Sequence, residues 1–164
     1  MSKRNLFLSV LLLCGLNTIS LPVKAQALIP YTPQLNSEIL DPYGAELLQE
    51  AIQLIRLRQF DLALGRAELA SQLSPNHYET WFILGTLYVQ QDQVPEGVKS
   101  LEKAKDLAPD QPEVLFALGN SYFQIEDYEA SIRELKNGLK INSEVPQAFF
   151  DLGNAHLKLA QYNE

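Results

Sequence analysis

The stretch "LFALGNSYFQ", Leu115 to Gln124, decides how this chain folds, because it comes round again at a fixed interval. Starting 34 residues earlier, the chain reads "WFILGTLYVQ" from Trp81, and starting 34 residues later it reads "FFDLGNAHLK" from Phe149. Each copy carries a glycine inside an apolar run with helical spacing. Glycine there costs up to ~1 kcal/mol relative to alanine. A penalty repeated at one interval calls for an offsetting gain.

Aligning the chain on that interval supplies it. Ala51, Gly85, Gly119 and Gly153 fall in one column, Ala63, Gly97 and Ser131 in a second, and Ala70, Ala104 and Gly138 in a third. Large residues repeat beside them: Trp81, Leu115 and Phe149; Leu84, Leu118 and Leu152; Tyr88, Tyr122 and His156. Small side chains at a helix crossing let two backbones approach closely while neighbouring large residues are buried. The reading is therefore of helical hairpins in units 44–77, 78–111 and 112–145, with a partial unit 146–164. Within each unit a short polar break, "LRQFD", "QDQVP" or "IEDYE", separates two helical stretches. Asn76 with Glu79 and Asp110 with Glu113 have the spacing of capping boxes at the unit junctions. Strand signals are absent throughout.

The 34-residue period, the Leu-Gly pair followed three residues later by Tyr, the small columns and the closing Pro75 and Pro109 resemble the tetratricopeptide repeat, TPR. The resemblance covers about residues 44–164. The first unit departs from it with Glu50-Ala51 in place of Leu-Gly, and Ser143 replaces the closing proline of the third. It implies an all-α fold, a right-handed α–α superhelix of antiparallel helical hairpins with a concave groove.

Ahead of the repeats, Lys3 and Arg4 precede the apolar run Leu6 to Leu13, and small residues follow at Ala25 and Ala27. These are the marks of a secretory signal peptide, residues 1–25, cleaved after Ala25 or Ala27. An uncleaved anchor is the alternative, but Leu6 to Leu21 is short for a span of ~20 residues and contains Ser9, Asn17, Thr18 and Ser20. Lipidation at Cys14 would want a small residue before the cysteine, where Leu13 stands. Residues 26–42 carry three prolines and read as an extended linker, with Asp41-Pro42 as a helix start. The expected location is exported: periplasm, cell envelope or thylakoid lumen.

Losing the leader removes Lys3, Arg4 and Lys24, so 13 basic residues become 10 against 20 acidic ones and the net charge becomes −10. A chain this acidic, without a basic cluster, is a poor partner for nucleic acid or an anionic membrane surface. Its cysteine content falls to zero with Cys14, which excludes disulfides. Two histidines, His77 and His156, lie far apart in sequence, with no metal-ligand spacing around them. Every helical glycine from Gly85 onward falls in a packing column, leaving no phosphate loop. Glu126-Asp127 falls in a turn as solvated charge. No cofactor, metal or catalytic residue is expected.

Binding is the expectation instead. By the resemblance, the first helix of each hairpin lines the groove. That places Leu48, Phe82, Phe116 and Phe150 in one row, Ile52, Thr86, Asn120 and Asn154 in a second, and Arg56, Gln90, Gln124 and Lys158 in a third. Rings accept apolar side chains, and amides donate to and accept from an extended peptide backbone. The groove residues so assigned are Phe82, Thr86, Gln90, Phe116, Asn120, Gln124, Phe150, Asn154 and Lys158. Relatives that clamp the terminal carboxylate of chaperone tails use Lys and Asn there; here the basic residues reduce to Arg56 and Lys158 at opposite ends, which argues against that mode. The function expected is a non-enzymatic scaffold or assembly factor holding a protein or peptide. Alternatives are a substrate-presenting arm of an enzyme continuing past Glu164, and a self-associating module using the apolar strip of the partial repeat.

Overall fold

The computed structural model describes residues 37–162, with side chains from 41 to 161. The expected leader, its exit at Ala25 or Ala27, Cys14 and the linker up to residue 36 lie outside the described residues. Within them the chain forms α1 (Ser37–Arg56), α2 (Phe60–Leu73), α3 (Tyr78–Gln90), α4 (Val94–Leu107), α5 (Pro112–Gln124), α6 (Tyr128–Ile141) and α7 (Pro146–Tyr162), and no strand. None of these helices is long and apolar enough to cross a membrane. α1–α2, α3–α4 and α5–α6 are the three hairpins. Each hairpin packs on the next, and α7 packs on α6.

Helix composition follows position in the stack. α4 and α6 are amphipathic, burying Val94, Gly97, Val98, Leu101 and Ala104, and Tyr128, Ser131, Ile132, Leu135, Gly138 and Leu139. That spacing is one face of a 3.6-residue period. α3 is apolar over more of its circumference, because α2, α4 and α5 all pack against it. Leu101, Leu118 and Leu135 are fully buried along the middle of the stack, each burial contributing roughly 1.5–3 kcal/mol.

Nine of the ten small-column residues are buried, so the spacing argument holds wherever a hairpin is complete. A Cβ on Gly85 would lie 2.7 Å from Cγ of Leu101 and 3.0 Å from the Gly97 carbonyl oxygen. On Gly119 it would lie 2.6 Å from Cγ of Leu135. The exception is Gly153 in α7, which is exposed and has nothing within 4 Å of a Cβ. No described helix covers that face, and Phe149 beside it is 53% exposed.

Several local expectations need correcting. α1 starts at Ser37, so Pro42 lies inside the helix instead of opening it. Pro42 has no N–H to give to the carbonyl four residues back. The Asp41 carbonyl accepts a second-helix contact, from Ser74 Oγ at 3.1 Å, and Gly44 packs directly on Ser74. Neither capping box forms. The N-caps of α3 and α5 are His77 and Gln111, without a side-chain cap bond, one residue past Asn76 and Asp110. Pro112, at the start of α5, already has the helical φ and no N–H to satisfy. Asp127, expected as solvated charge, is the residue that does cap: its Oδ1 accepts from the Ala130 N–H at 3.0 Å.

Candidate functional site

The stack has two unlike sides. α1 touches α3, α3 touches α5 and α5 touches α7, whereas α2, α4 and α6 do not approach one another within 8 Å between Cα atoms. Odd-numbered helices therefore crowd along an inner face, and even-numbered ones splay along an outer face.

On the inner face, between α3 and α5, lies a hollow of about 300 Å³. Its polar wall is Thr86 and Gln90 from α3 with Asn120 and Gln124 from α5, and its floor is Val89, Leu101, Ala117 and Ser121. Four of the sequence-assigned groove residues thus come together in one site. They do so because each pair is four residues apart on its helix, one turn along the same face, and the 34-residue register repeats that face. The Thr86 hydroxyl donates to the Ile83 carbonyl at 2.9 Å, while the amides of Gln90, Asn120 and Gln124 are exposed. A second inner hollow of about 280 Å³, between α1 and α3, takes in Leu48 and Ile52 together with Thr80 and His77.

The phenylalanine row divides. Phe116 is half-buried and lies on Gly138 of α6, where a Cβ would come within 2.5 Å of its ring. Phe82 is half-buried against the core around Val98, Leu101 and Leu118. Both rings fill space within the stack, because the small columns leave holes beneath them. Phe150 is 64% exposed on α7, with Asn154 half-buried and Lys158 exposed along the same helix. These three do not join the α3–α5 hollow.

Polar contacts that sequence reasoning missed lie on the other side of the stack. Tyr88 of α3 donates to Glu68 of α2 at 2.8 Å, and Tyr122 of α5 donates to Glu102 of α4 at 2.5 Å. Both partners repeat at 34 residues, which was the available signal. Partial burial, and then the hydrogen bond to Glu68, push the Tyr88 phenol up to about 12. Tyr122 is raised further, by burial first and by Glu102 second. Glu134, 1% exposed, receives Lys105 Nζ at 2.8 Å and Arg133 Nε at 3.0 Å, so both of its oxygens are occupied.

The profile of the TPR repeat family matches residues 119–159. That of the ChAPs (Chs5p-Arf1p-binding proteins) matches residues 22–104, so the two together run over most of the hairpins described above. Solved structures agree on the architecture. The first TPR of Spaghetti (RPAP3), bound to the HSP90 peptide SRMEEVD, superposes with a TM-score of 0.71 at 12% identity, over 73% of this chain and 95% of that one. Residues 119–159 carry a TPR repeat, and the described helices have the TPR fold. Also similar to the chain are the Sgt2 TPR domain from Aspergillus fumigatus (TM-score 0.68, 16% identity, 74% of this chain, 82% of that) and MamA (0.69, 17%, 71% and 68%). No curated protein matches the sequence. At such identities the likeness establishes the TPR fold, and the inner face of this TPR stack has to be read from its own side chains.

Proposed function

We propose that this TPR protein is a non-enzymatic scaffold that holds an extended segment of a partner protein along its inner face. One observation carries the reading: Thr86, Gln90, Asn120 and Gln124 converge on a single open hollow with an apolar floor. Amide side chains supply donors and acceptors to an extended backbone, and the floor takes an apolar side chain. Peptide binding by the TPR of Spaghetti supports this mode by analogy. Selecting peptides from a random library on the full chain, then measuring their affinity for an Asn120→Ala, Gln124→Ala double variant, tests it. Binding should fall at least tenfold with the thermal melt unchanged. Peptides that bind the double variant as well as the parent would place recognition elsewhere. Phe116 is unsuited to this test, since its ring packs on Gly138 and truncation would loosen the hairpin.

A second reading rests on α7. Phe149, Phe150 and Leu157 are 53%, 64% and 64% exposed around the open Gly153, an apolar strip suited to pairing with a second copy. Sedimentation of the full chain against a Phe149→Ser, Leu157→Ser variant decides it, a monomeric parent being the refuting result. We place the scaffold in an exported compartment on the residues of 1–25 alone. N-terminal sequencing of the protein from its native cell, with a start other than 26 or 28, would overturn that.

A further inference from the structure

The outer face carries a cavity that the inner-groove reading leaves unexplained. It measures about 520 Å³ and opens between α2, α3 and α4, with Ser71, Trp81, Tyr88, Glu68, Glu96 and Ser100 on its walls. The repeat provides an internal comparison, because the corresponding place one unit along lies between α4, α5 and α6. There the positions of Ser71 and Ser100 are held by the longer Lys105 and Glu134, which meet at 2.8 Å across the junction. Both serines bond back to their own helices instead, Ser71 to the Glu68 carbonyl at 2.8 Å and Ser100 to the Glu96 carbonyl at 3.0 Å. The two hydroxyls are thereby satisfied, and what remains beside them is room.

The walls say what kind of group the room suits. In the later unit Tyr122 lies near the carboxylates Glu102 and Glu134 and the cation Arg133, and Lys105 pairs with Glu134. In the earlier one Glu68 bonds Tyr88, Glu96 also faces that phenol, and Lys99 is the one basic residue of the lining. The cation that Lys105 provides has no counterpart there. Trp81 replaces Leu115 on the wall, and its Nε1–H donates to the Pro75 carbonyl at 2.7 Å, which holds the indole in place. Indole is the aromatic surface that attracts a cation most strongly, and two nearby carboxylates add to the attraction.

We infer that this cavity receives a basic side chain, arginine or lysine, from a partner polypeptide, which takes the place that Lys105 occupies in the following unit. The site is independent of the inner hollow, since the two share no residue. A partner with an extended segment on the inner face and a basic residue reaching the outer face would grip both sides of the α3–α4 hairpin.

Trp81 is the single tryptophan of the chain and lines this cavity but not the inner hollow, so its fluorescence and its indole N–H resonance are read without overlap from another indole. The full chain is titrated with three blocked glycine-flanked pentapeptides whose central residue is arginine, lysine or citrulline, the last being the neutral analogue of arginine. Arginine and lysine peptides should shift the Trp81 signals saturably, and citrulline at least tenfold more weakly. The Ser71→Lys, Ser100→Glu double variant rebuilds the later unit's ion pair inside the cavity and should abolish the response, with a melting temperature at or above that of the parent. Should that variant fail to fold, Glu68→Gln with Glu96→Gln tests the same point and should weaken the arginine response at least fivefold. The Asn120→Ala, Gln124→Ala variant should respond as the parent does, which separates this site from the inner one. An equal response to citrulline, no response to either basic peptide, or an undiminished response in the filled cavity overturns the inference.

Discussion

Replacing Gly119 with alanine puts the close-approach account to a quantitative test, because the same substitution is available at two sites without a crossing. Alanine is better than glycine in a helix interior by up to ~1 kcal/mol, and this gain applies at all three positions. At Gly65 in α2 and Gly153 in α7 a new Cβ meets nothing within 4 Å, so the gain is realised in full. At Gly119 the Cβ falls 2.6 Å from Leu135 Cγ, 2.9 Å from its Cδ2 and 3.3 Å from its backbone nitrogen. Cγ is the branch point of a fully buried leucine, so it cannot swing aside as a chain end would. Either Leu135 leaves its rotamer or the α5–α6 crossing widens, at a cost of about 1–3 kcal/mol.

The propensity term is common to Gly65→Ala and Gly119→Ala, so their difference isolates the packing cost. Gly65→Ala should stabilise by up to ~1 kcal/mol, and Gly119→Ala should stand about 1–3 kcal/mol below it, neutral to clearly destabilising. Urea unfolding followed by far-ultraviolet circular dichroism measures both. Gly153→Ala should resemble Gly65→Ala. If Gly119→Ala stabilises the protein as much as Gly65→Ala does, small side chains are not what brings these helices together.

Three further outcomes follow from the geometry. Arg58, Asp92 and Glu126 have φ of 58°, 63° and 65°, one at each turn within a hairpin. At each turn the next residue's N–H reaches back five residues, as Gln93 does to the Tyr88 carbonyl at 2.9 Å, the geometry in which glycine is usual. Arg58→Gly should raise stability by about 1 kcal/mol and Asp92→Gly by less, since aspartate tolerates that conformation better; a loss at Arg58 in urea titration would refute this. Lys105→Met leaves buried Glu134 with Arg133 alone and should cost about 1–3 kcal/mol, the low side of a broken buried pair because Lys105 is 35% exposed. Combining Lys105→Ser with Glu134→Ser, the pair found one unit earlier, should recover most of that loss in the same assay. Unfolded tyrosine ionises near ~10, so the raised Tyr88 and Tyr122 phenols hold their protons in the folded state after the unfolded chain has released them. Their contribution is complete below that pH and is lost as pH climbs through about 12 for Tyr88, with Tyr122 later. Phenolate absorbance should show a late-titrating fraction that shrinks in Tyr88→Phe and moves to lower pH in Glu68→Gln.

The parts of the fold that depend on every unit doing the same thing were legible in the sequence. Gly85, Gly119 and the columns of Ala63 and Ala70 stand at the crossings, and Thr86, Gln90, Asn120 and Gln124 share one hollow, because a 34-residue period carries a helix face from unit to unit. Phe116 shows where column reading stops. Its position belongs to the inner row, but a ring goes where volume is free, and the absent side chain of Gly138 provides that volume within the hairpin. Helix starts were misplaced for a related reason. Asn76 and Asp110 have capping chemistry, yet Pro112 and the chain path past Ser74 set where α5 and α3 begin.

The outer cavity was illegible for the opposite reason. Aligning repeats rewards what recurs, and Ser71 with Ser100 look unremarkable beside Lys105 with Glu134 until the two junctions are compared in space. Two short serines at matched positions of one unit leave room where the next unit places the Lys105–Glu134 pair, while Glu68, Glu96 and Tyr88 keep the polarity that suits a cation. In a stack built from near-identical parts, common features account for the packing energy, and a place where one part departs from its neighbours in both volume and charge is where selection for a ligand can act without disturbing the fold. Trp81 fits that logic. It is the largest side chain in its column, it stands where Leu115 and Phe149 stand elsewhere, its polar edge is committed to Pro75, and the part of the indole not packed on the core lines the cavity.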